Sequence, residues 1–137
     1  MANDLYLGAR KTDQATFVDR ARRIATVLAD HGVGEDDAEA VLLRNDTAYL
    51  EVIEACRYVG AYYVTLNWHG APAEIIQILE DANAKVLIGH SDLTAKLTSN
   101  AGMTIPVAAI PSPPELADAY GVNPARAEGQ TDLVDLM

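Results

Sequence analysis

The chain has 137 residues, about the size of one ordinary domain, and half of them are hydrophobic. It carries 20 acidic and 10 basic side chains, a formal net charge of −10. This charge disfavours nucleic-acid-binding proteins and polybasic membrane-surface modules, since both depend on clustered positive charge. The lone cysteine, Cys56, excludes an internal disulfide framework and a multi-cysteine zinc site, and its apolar neighbours predict a core position. With no signal-peptide stretch and no apolar run of ~18 residues, we expect a cytoplasmic protein without a transmembrane segment.

The first predicted element is a helix over residues 16–31, because apolar side chains recur there at helical spacing. Thr16 is the expected N-cap, and Gly32 is the expected left-handed residue that closes the helix. Asp19 and Arg23 lie four residues apart and are expected to pair on the helix surface.

Helices and strands alternate along the rest of the first 110 residues. The further elements predicted are a strand over 40–43, a helix over 47–59, a strand over 61–66, a helix from Pro72 to about Asn83, a strand over 85–89, a helix over 92–98 and a strand over 106–110. Strands made of nearly continuous apolar runs are typical of parallel sheets covered by helices on both faces. The sequence therefore predicts an α/β fold, with a mainly parallel sheet of about four strands flanked by helices.

The last part of the chain loses this periodicity. Residues 1–110 are interpreted as one α/β subdomain, whereas residues 111–137 are rich in proline, glycine and acidic side chains. We expect residues 111–137 to be an acidic linker or an element without its partner, with a short helix around 115–119.

Ligands of parallel α/β sheets bind beyond the carboxyl ends of the strands. That rule points to three stretches, 44–46, 67–69 and 89–91, each of which follows a predicted strand. The sequence contains neither a GxxxxGK[ST] phosphate loop nor a GxSxG nucleophile elbow, and the Gly-Val-Gly run at 32–34 precedes a strand instead of following one. No catalytic residue and no metal-ligand set is predicted.

Several short segments occur in an order that resembles a known family. They are Thr-Phe at 16–17, Leu-x-x-x-Gly-Val at 28–33, Leu-Leu-Arg-Asn at 42–45, Gly-Ala-Tyr-Tyr-Val-Thr-Leu-Asn at 60–67 and Pro-Ala-Glu at 72–74. In this register residues 16–97 resemble the N-terminal region of acyl-CoA synthetases, members of the adenylate-forming (AMP-binding) superfamily, and are most similar to the fatty or aryl acyl-CoA ligase branch. One departure is Gly-Ala at 70–71, which replaces the family's usual Leu-Thr helix cap.

The resemblance implies an activity for a longer protein. Such an enzyme would use ATP and Mg²⁺ to convert a carboxylic acid to an acyl-adenylate, and would transfer the acyl group to coenzyme A. The family's phosphate loop and catalytic lysine do not occur in this sequence, so we expect the chain alone to be inactive and to bind none of these cofactors. The resemblance suggests Asn45, Asn67, Trp68 and His69 as wall residues of the acyl or nucleotide cleft.

Two hypotheses about partners remain open. In the first, the chain is the N-terminal part of an acyl-CoA ligase, and its partner is the remainder of that ligase. Apolar surface that this remainder would cover is then exposed in the isolated chain, which favours a homodimer. In the alternative, it is a non-catalytic α/β interaction module derived from that family, and its acidic tail docks a partner.

Overall fold

The computed structural model describes residues 3–99, 103–124 and 131–137. The helices within these ranges are α1 (Gln14–Asp30), α2 (Thr47–Val59), α3 (Pro72–Asp81), α4 (Ser91–Thr98), α5 (Pro114–Tyr120) and α6 (Leu133–Leu136). The strands are β1 (Leu5–Leu7), β2 (Arg10–Thr12), β3 (Ala38–Leu42), β4 (Tyr62–Thr65), β5 (Ala84–His90), β6 (Val107–Ile110) and β7 (Thr131–Asp132). No helix of this described part has the length and apolar content that crossing a membrane requires.

A five-stranded parallel sheet forms the centre of the fold, in the order β4-β3-β5-β6-β7. In register, Val41 of β3 lies beside Thr65 of β4 and Ile88 of β5. The predicted α/β class with a parallel sheet is confirmed, and β7 is a fifth strand beyond the four predicted. Strands β1 and β2 form a separate antiparallel hairpin.

Alternate residues of the central strands supply two apolar cores, one on each face of the sheet. Val41 and Ile88 belong to the core that α1 and α2 cover, together with Ile24 and Val52 of those helices. Leu42 and Leu87 point to the opposite face, where Leu79 of α3 and Leu93 of α4 pack. The strands are apolar on both faces because helices cover both.

Helix α1 begins earlier than the sequence pattern indicates, so the prediction of Thr16 as its N-cap is wrong. Asp13 is the N-cap, and its carboxylate accepts a hydrogen bond of 2.8 Å from the Thr16 N–H. The C-terminal prediction is confirmed, because Gly32 has φ +77° and the Val33 N–H donates to the Leu28 carbonyl. The predicted pair of Asp19 and Arg23 also forms, at 2.8 Å.

The described parts of residues 111–137 are folded onto the sheet. Helix α5 forms close to its predicted place, and β7 pairs in parallel with β6, with Thr131 beside Ala108. These parts are therefore neither linker nor unpaired, because β7 has its partner strand and Leu133 is 2% exposed. The pattern missed β7 because two residues carry no periodicity. The boundary at residue 110 stays a prediction, and residues 125–130 lie outside the described part.

A glutamate lies in the core between β3 and α2. Glu39 is fully buried, and the Cys56 thiol of α2 donates a hydrogen bond of 3.5 Å to Glu39 Oε2. Glu39 Oε1 has no hydrogen-bond partner among the described residues. Burial raises the pKa of Glu39 well above its usual range, and this outweighs the hydrogen bond from Cys56. The core position predicted for Cys56 is confirmed, and burial favours the protonated form of Glu39.

Replacing Glu39 with glutamine should stabilise the fold at neutral pH, by about 1 kcal/mol. Since the folded-state pKa of Glu39 is raised, its contribution to stability is full below the ordinary glutamate range. That contribution is lost as the pH rises through the raised pKa. Urea unfolding between pH 5 and pH 8 should therefore give a flatter profile for Glu39→Gln. The control Glu80→Gln changes an exposed glutamate of α3 and should keep the wild-type profile. A wild-type profile for Glu39→Gln would contradict a protonated Glu39.

Candidate functional site

A buried ion pair lies at the carboxyl edge of the sheet. Arg44, two residues beyond β3, is 4% exposed, and its two terminal nitrogens donate to the two oxygens of Asp92 at 3.0 and 2.7 Å. Ser112, which follows β6, donates to the same carboxylate at 3.0 Å. Burial alone would raise the pKa of Asp92, but the hydrogen bonds from Arg44 and Ser112 hold it below the usual aspartate range. Asp92 therefore stays ionised as the partner of the arginine.

Two aromatic rings contact the same guanidinium. The Arg44 Cζ atom lies 4.9 Å from the ring centroid of Trp68 and 4.8 Å from that of Tyr120. The two rings meet edge to face at 5.2 Å, and Trp68 also stacks on His69 at 3.6 Å. Cation–π attraction is strongest at desolvated sites, so these contacts fix the loop after β4 and the end of α5 against Arg44.

His90, at the end of β5, is fully buried and holds the adjacent backbone in place. The Arg44 N–H donates to His90 Nδ1 at 3.2 Å, so Nδ1 is the acceptor of the ring. The proton therefore lies on Nε2, which donates to Asp46 at 3.1 Å. Burial would raise the pKa of Asp46, but this hydrogen bond keeps it below the usual range. This network makes His90 a structural residue without access to a ligand.

A pocket of about 290 Å³ opens beside the arginine. Three of the side chains in its wall carry or can carry positive charge, namely Arg44, His69 and Lys96. The rest of the wall is mainly apolar and comes from α3, α4 and the loop before α3. The lining residues are Leu42, Arg44, Trp68, His69, Gly70, Pro72, Ile75, Leu93, Lys96 and Leu97. This set contains no acidic side chain.

The structure brings together three of the four residues that sequence reasoning suggested as cleft walls. Trp68 and His69 line the pocket, and Asn67 Oδ1 accepts a hydrogen bond of 3.0 Å from the His69 N–H. Asn45 lies elsewhere, in a pocket of about 340 Å³ between the N-terminal hairpin and α2. The role of all four residues as cleft walls stays a prediction.

Arg44 is the residue that sequence reasoning missed as the centre of the site. It belonged to one of the three stretches placed at strand ends, but nothing in the sequence linked it to Asp92, 48 residues further on. The available signal was a lone basic residue directly after a buried apolar strand. Among the described residues, no group of three or more His, Cys, Asp or Glu side chains could hold a metal ion.

Replacing Arg44 with methionine should cost roughly 3–5 kcal/mol of stability, because it leaves the carboxylate of Asp92 buried without its cation. Adding Asp92→Asn should recover part of that loss. Arg44→Lys should be intermediate, since lysine keeps the charge but not the two parallel hydrogen bonds. Urea unfolding measures stability, and a red shift in the native emission of Trp68, the single tryptophan, reports release of its loop.

The control for this series is Arg57→Met, which removes an arginine from an exposed pair with Glu54 and should change stability little. Equal stability of Arg44→Met and Arg57→Met would show that the buried pair does not hold this edge together.

Comparison with known proteins identifies the fold family. The model of the family described as AMP-binding enzyme matches residues 8–131. The feruloyl-CoA synthase of an Amycolatopsis species is 34% identical over 111 residues, which cover 74% of this chain and 23% of that protein. The acyl-CoA synthetase of Brucella canis superposes with a TM-score of 0.74 at 23% identity, over 96% of this chain and 23% of that one. The anthranilate-CoA ligase AuaEII, solved with anthranoyl-AMP, gives a TM-score of 0.75 at 21% identity over 96% of this chain and 24% of that one.

The chain thus spans about a quarter of the length of the relatives that it matches. The family match extends over residues 8–131, and the fold of the chain agrees with that of the solved relatives. The chain therefore belongs to the AMP-binding family of adenylate-forming enzymes and corresponds to the N-terminal region of the acyl- and aryl-CoA ligases.

Proposed function

We propose that this chain is the N-terminal segment of an acyl-CoA ligase. The complete enzyme would activate a fatty or aryl carboxylic acid with ATP to an acyl-adenylate and transfer the acyl group to coenzyme A. The observation that carries the proposal is the family match over residues 8–131 in a chain that spans about a quarter of its relatives. The aryl class is supported by the relative named feruloyl-CoA synthase.

The family uses ATP and coenzyme A, but the described residues do not form a site for a nucleotide triphosphate with Mg²⁺. The two terminal nitrogens of Arg44, the buried cation of the site, already bind Asp92. No acidic cluster suitable for a metal occurs in the described ranges, and the sequence has no phosphate loop. Adenylation therefore requires groups supplied by the remainder of the ligase, which is the partner that we propose.

The contribution of this segment is structural. Its sheet holds the loop with Trp68 and His69 in a fixed position at the carboxyl edge, where ligands of parallel α/β sheets bind. We expect that loop, together with Asn67, to form part of the wall of the cleft once the remainder of the enzyme is present. Asn45 would contribute from the pocket between the N-terminal hairpin and α2.

The chain alone should release no pyrophosphate from ATP with any member of a panel of fatty and aryl carboxylates, because it lacks the phosphate loop. The Amycolatopsis feruloyl-CoA synthase serves as the positive control with ferulate. Turnover by the isolated chain that is abolished by chelating Mg²⁺ would contradict the proposal.

A second experiment separates a ligase segment from a non-catalytic module. The 111-residue region of the feruloyl-CoA synthase that aligns with this chain is replaced by the corresponding region of the chain, and the chimera is assayed for feruloyl-CoA formation. We expect measurable activity, reduced by imperfect packing at the new junction. A folded chimera without activity, beside an active chimera built from a third family member, would favour the interaction module.

A further inference from the structure

The outer edge of strand β4 is open to solvent. Strand β4 is the first in the order of the five-stranded sheet and pairs on one side, with β3. The N–H groups of Tyr62 and Leu66 donate to carbonyls on the β3 side. Backbone groups of successive residues point to opposite sides of a strand, so the N–H and C=O groups of Tyr63 and Thr65 point away from the sheet. Such a row of backbone groups can pair with another strand.

Strand β4 also lacks the features that protect exposed edges in natural sheets. These features are charged side chains, prolines, bulges and very short strands. The four residues of β4 include no charged residue and no proline, and their register with β3 is unbroken. The opposite edge differs, because β7 is two residues long and continues directly into α6. Of the two outer strands, β4 is therefore the one suited to pairing.

Exposed apolar side chains continue from this edge onto α2 and the N-terminal hairpin. Tyr62 is 63% exposed and Tyr63 is 47% exposed, although both side chains are large and mainly apolar. Leu50 and Tyr58 are eight residues apart on one side of α2 and are also exposed. Tyr6 of β1 is exposed beside Leu50, at the pocket of about 340 Å³. We call these five side chains the β4 flank.

The β4 flank has the area and the charge that contact with a second copy of the chain requires. At about 200 Å² for a whole side chain of this size, its exposed fractions leave roughly 500 Å² per copy and about 1,000 Å² for a pair, which reaches the lower limit of specific interfaces. Two chains with a net charge of −10 repel each other. On this flank, however, β4 is uncharged, and Glu54 and Arg57 of α2 pair with each other.

We propose that two copies of this chain pair through their β4 edges, antiparallel about a two-fold axis at Val64, and form one continuous sheet. This register places Tyr63 of each copy opposite Thr65 of the other, so that their outward N–H and C=O groups bond in both directions. A register about Tyr63 would place Thr65 opposite Ala61, whose N–H already donates to the Cys56 carbonyl. Pairs of aromatic and β-branched side chains across strands add stability.

The same axis brings unlike ends of the β4 flank together. Tyr58 and Tyr62 lie at the end of α2 and the start of β4, whereas Leu50 and Tyr6 lie near the start of α2. Antiparallel pairing therefore turns exposed tyrosines of one copy towards the apolar pocket of the other. This association is independent of the proposed ligase function, because it depends only on the described strands and α2.

Sedimentation velocity of the full chain over a range of concentrations tests the proposal. We expect a reversible equilibrium of monomer and dimer without larger species, since a two-fold pair uses both β4 edges. Tyr63→Lys places a charge on the edge and should weaken association at least tenfold. Val134→Lys adds the same charge at an exposed site of α6, beyond the opposite edge, and should leave the equilibrium unchanged. A monomer at every concentration, or equal losses in the two variants, would overturn the proposal.

Single-site cysteine variants test the register. Val64 lies at the axis, so Val64→Cys places two thiols in a non-hydrogen-bonded pair with Cα atoms about 4.5 Å apart, which is within disulfide range. Mild oxidation should then give a covalent dimer. Tyr62→Cys is the matched control, since Tyr62 faces Leu66 of the other copy and the new thiol should stay reduced. Cys56 is buried and does not compete. Crosslinking of Tyr62→Cys in place of Val64→Cys, or of neither variant, would overturn the proposed pairing.

Discussion

The carboxyl edge of the sheet depends on one buried cation. Removing the Arg44 guanidinium from water is costly, and it is tolerated because Asp92 accepts two hydrogen bonds from it. Those partners come from distant parts of the chain, since Asp92 lies in α4 while Trp68 and Tyr120 belong to the loop after β4 and the end of α5. Arg44 therefore fixes three segments relative to one another: the start of α4, the loop after β4 and the end of α5. The parallel topology of the sheet only brings these segments near one another.

The same network occupies the hydrogen-bonding groups of the polar residues at this edge. His90 accepts from one backbone N–H and donates to Asp46, so both of its nitrogens are occupied. Asp92 is occupied by Arg44 and Ser112. The imidazole of His90 and the carboxylate of Asp92, which could otherwise transfer protons, thus hold loops in place.

Elements with strong local signals were predictable from the sequence. Helix α2 has the predicted bounds, because apolar spacing and the left-handed Gly60 mark both of its ends. The hairpin of β1 and β2 went unpredicted, since three-residue strands containing charged side chains show no alternation. The pattern indicates Thr16 as the cap of α1 although Asp13 performs that role, because the backbone conformation decides which of two capping side chains is used. The ion pair of Arg44 depends on contacts distant in sequence, for which local patterns carry no information.

Strand β3 and the loop that follows it carry Glu39 and Arg44, two buried ionisable groups whose environments act in opposite ways. Arg44 meets the carboxylate of Asp92, whereas Glu39 meets a neutral thiol and burial raises its pKa, which favours the neutral form. The formal net charge of −10 is a sum over the whole sequence and does not describe these local environments. The acidic composition therefore does not describe the carboxyl edge, where the pocket wall carries positive side chains without acids. The distribution of charge within the fold, more than its sum, decides which ligands this segment can attract.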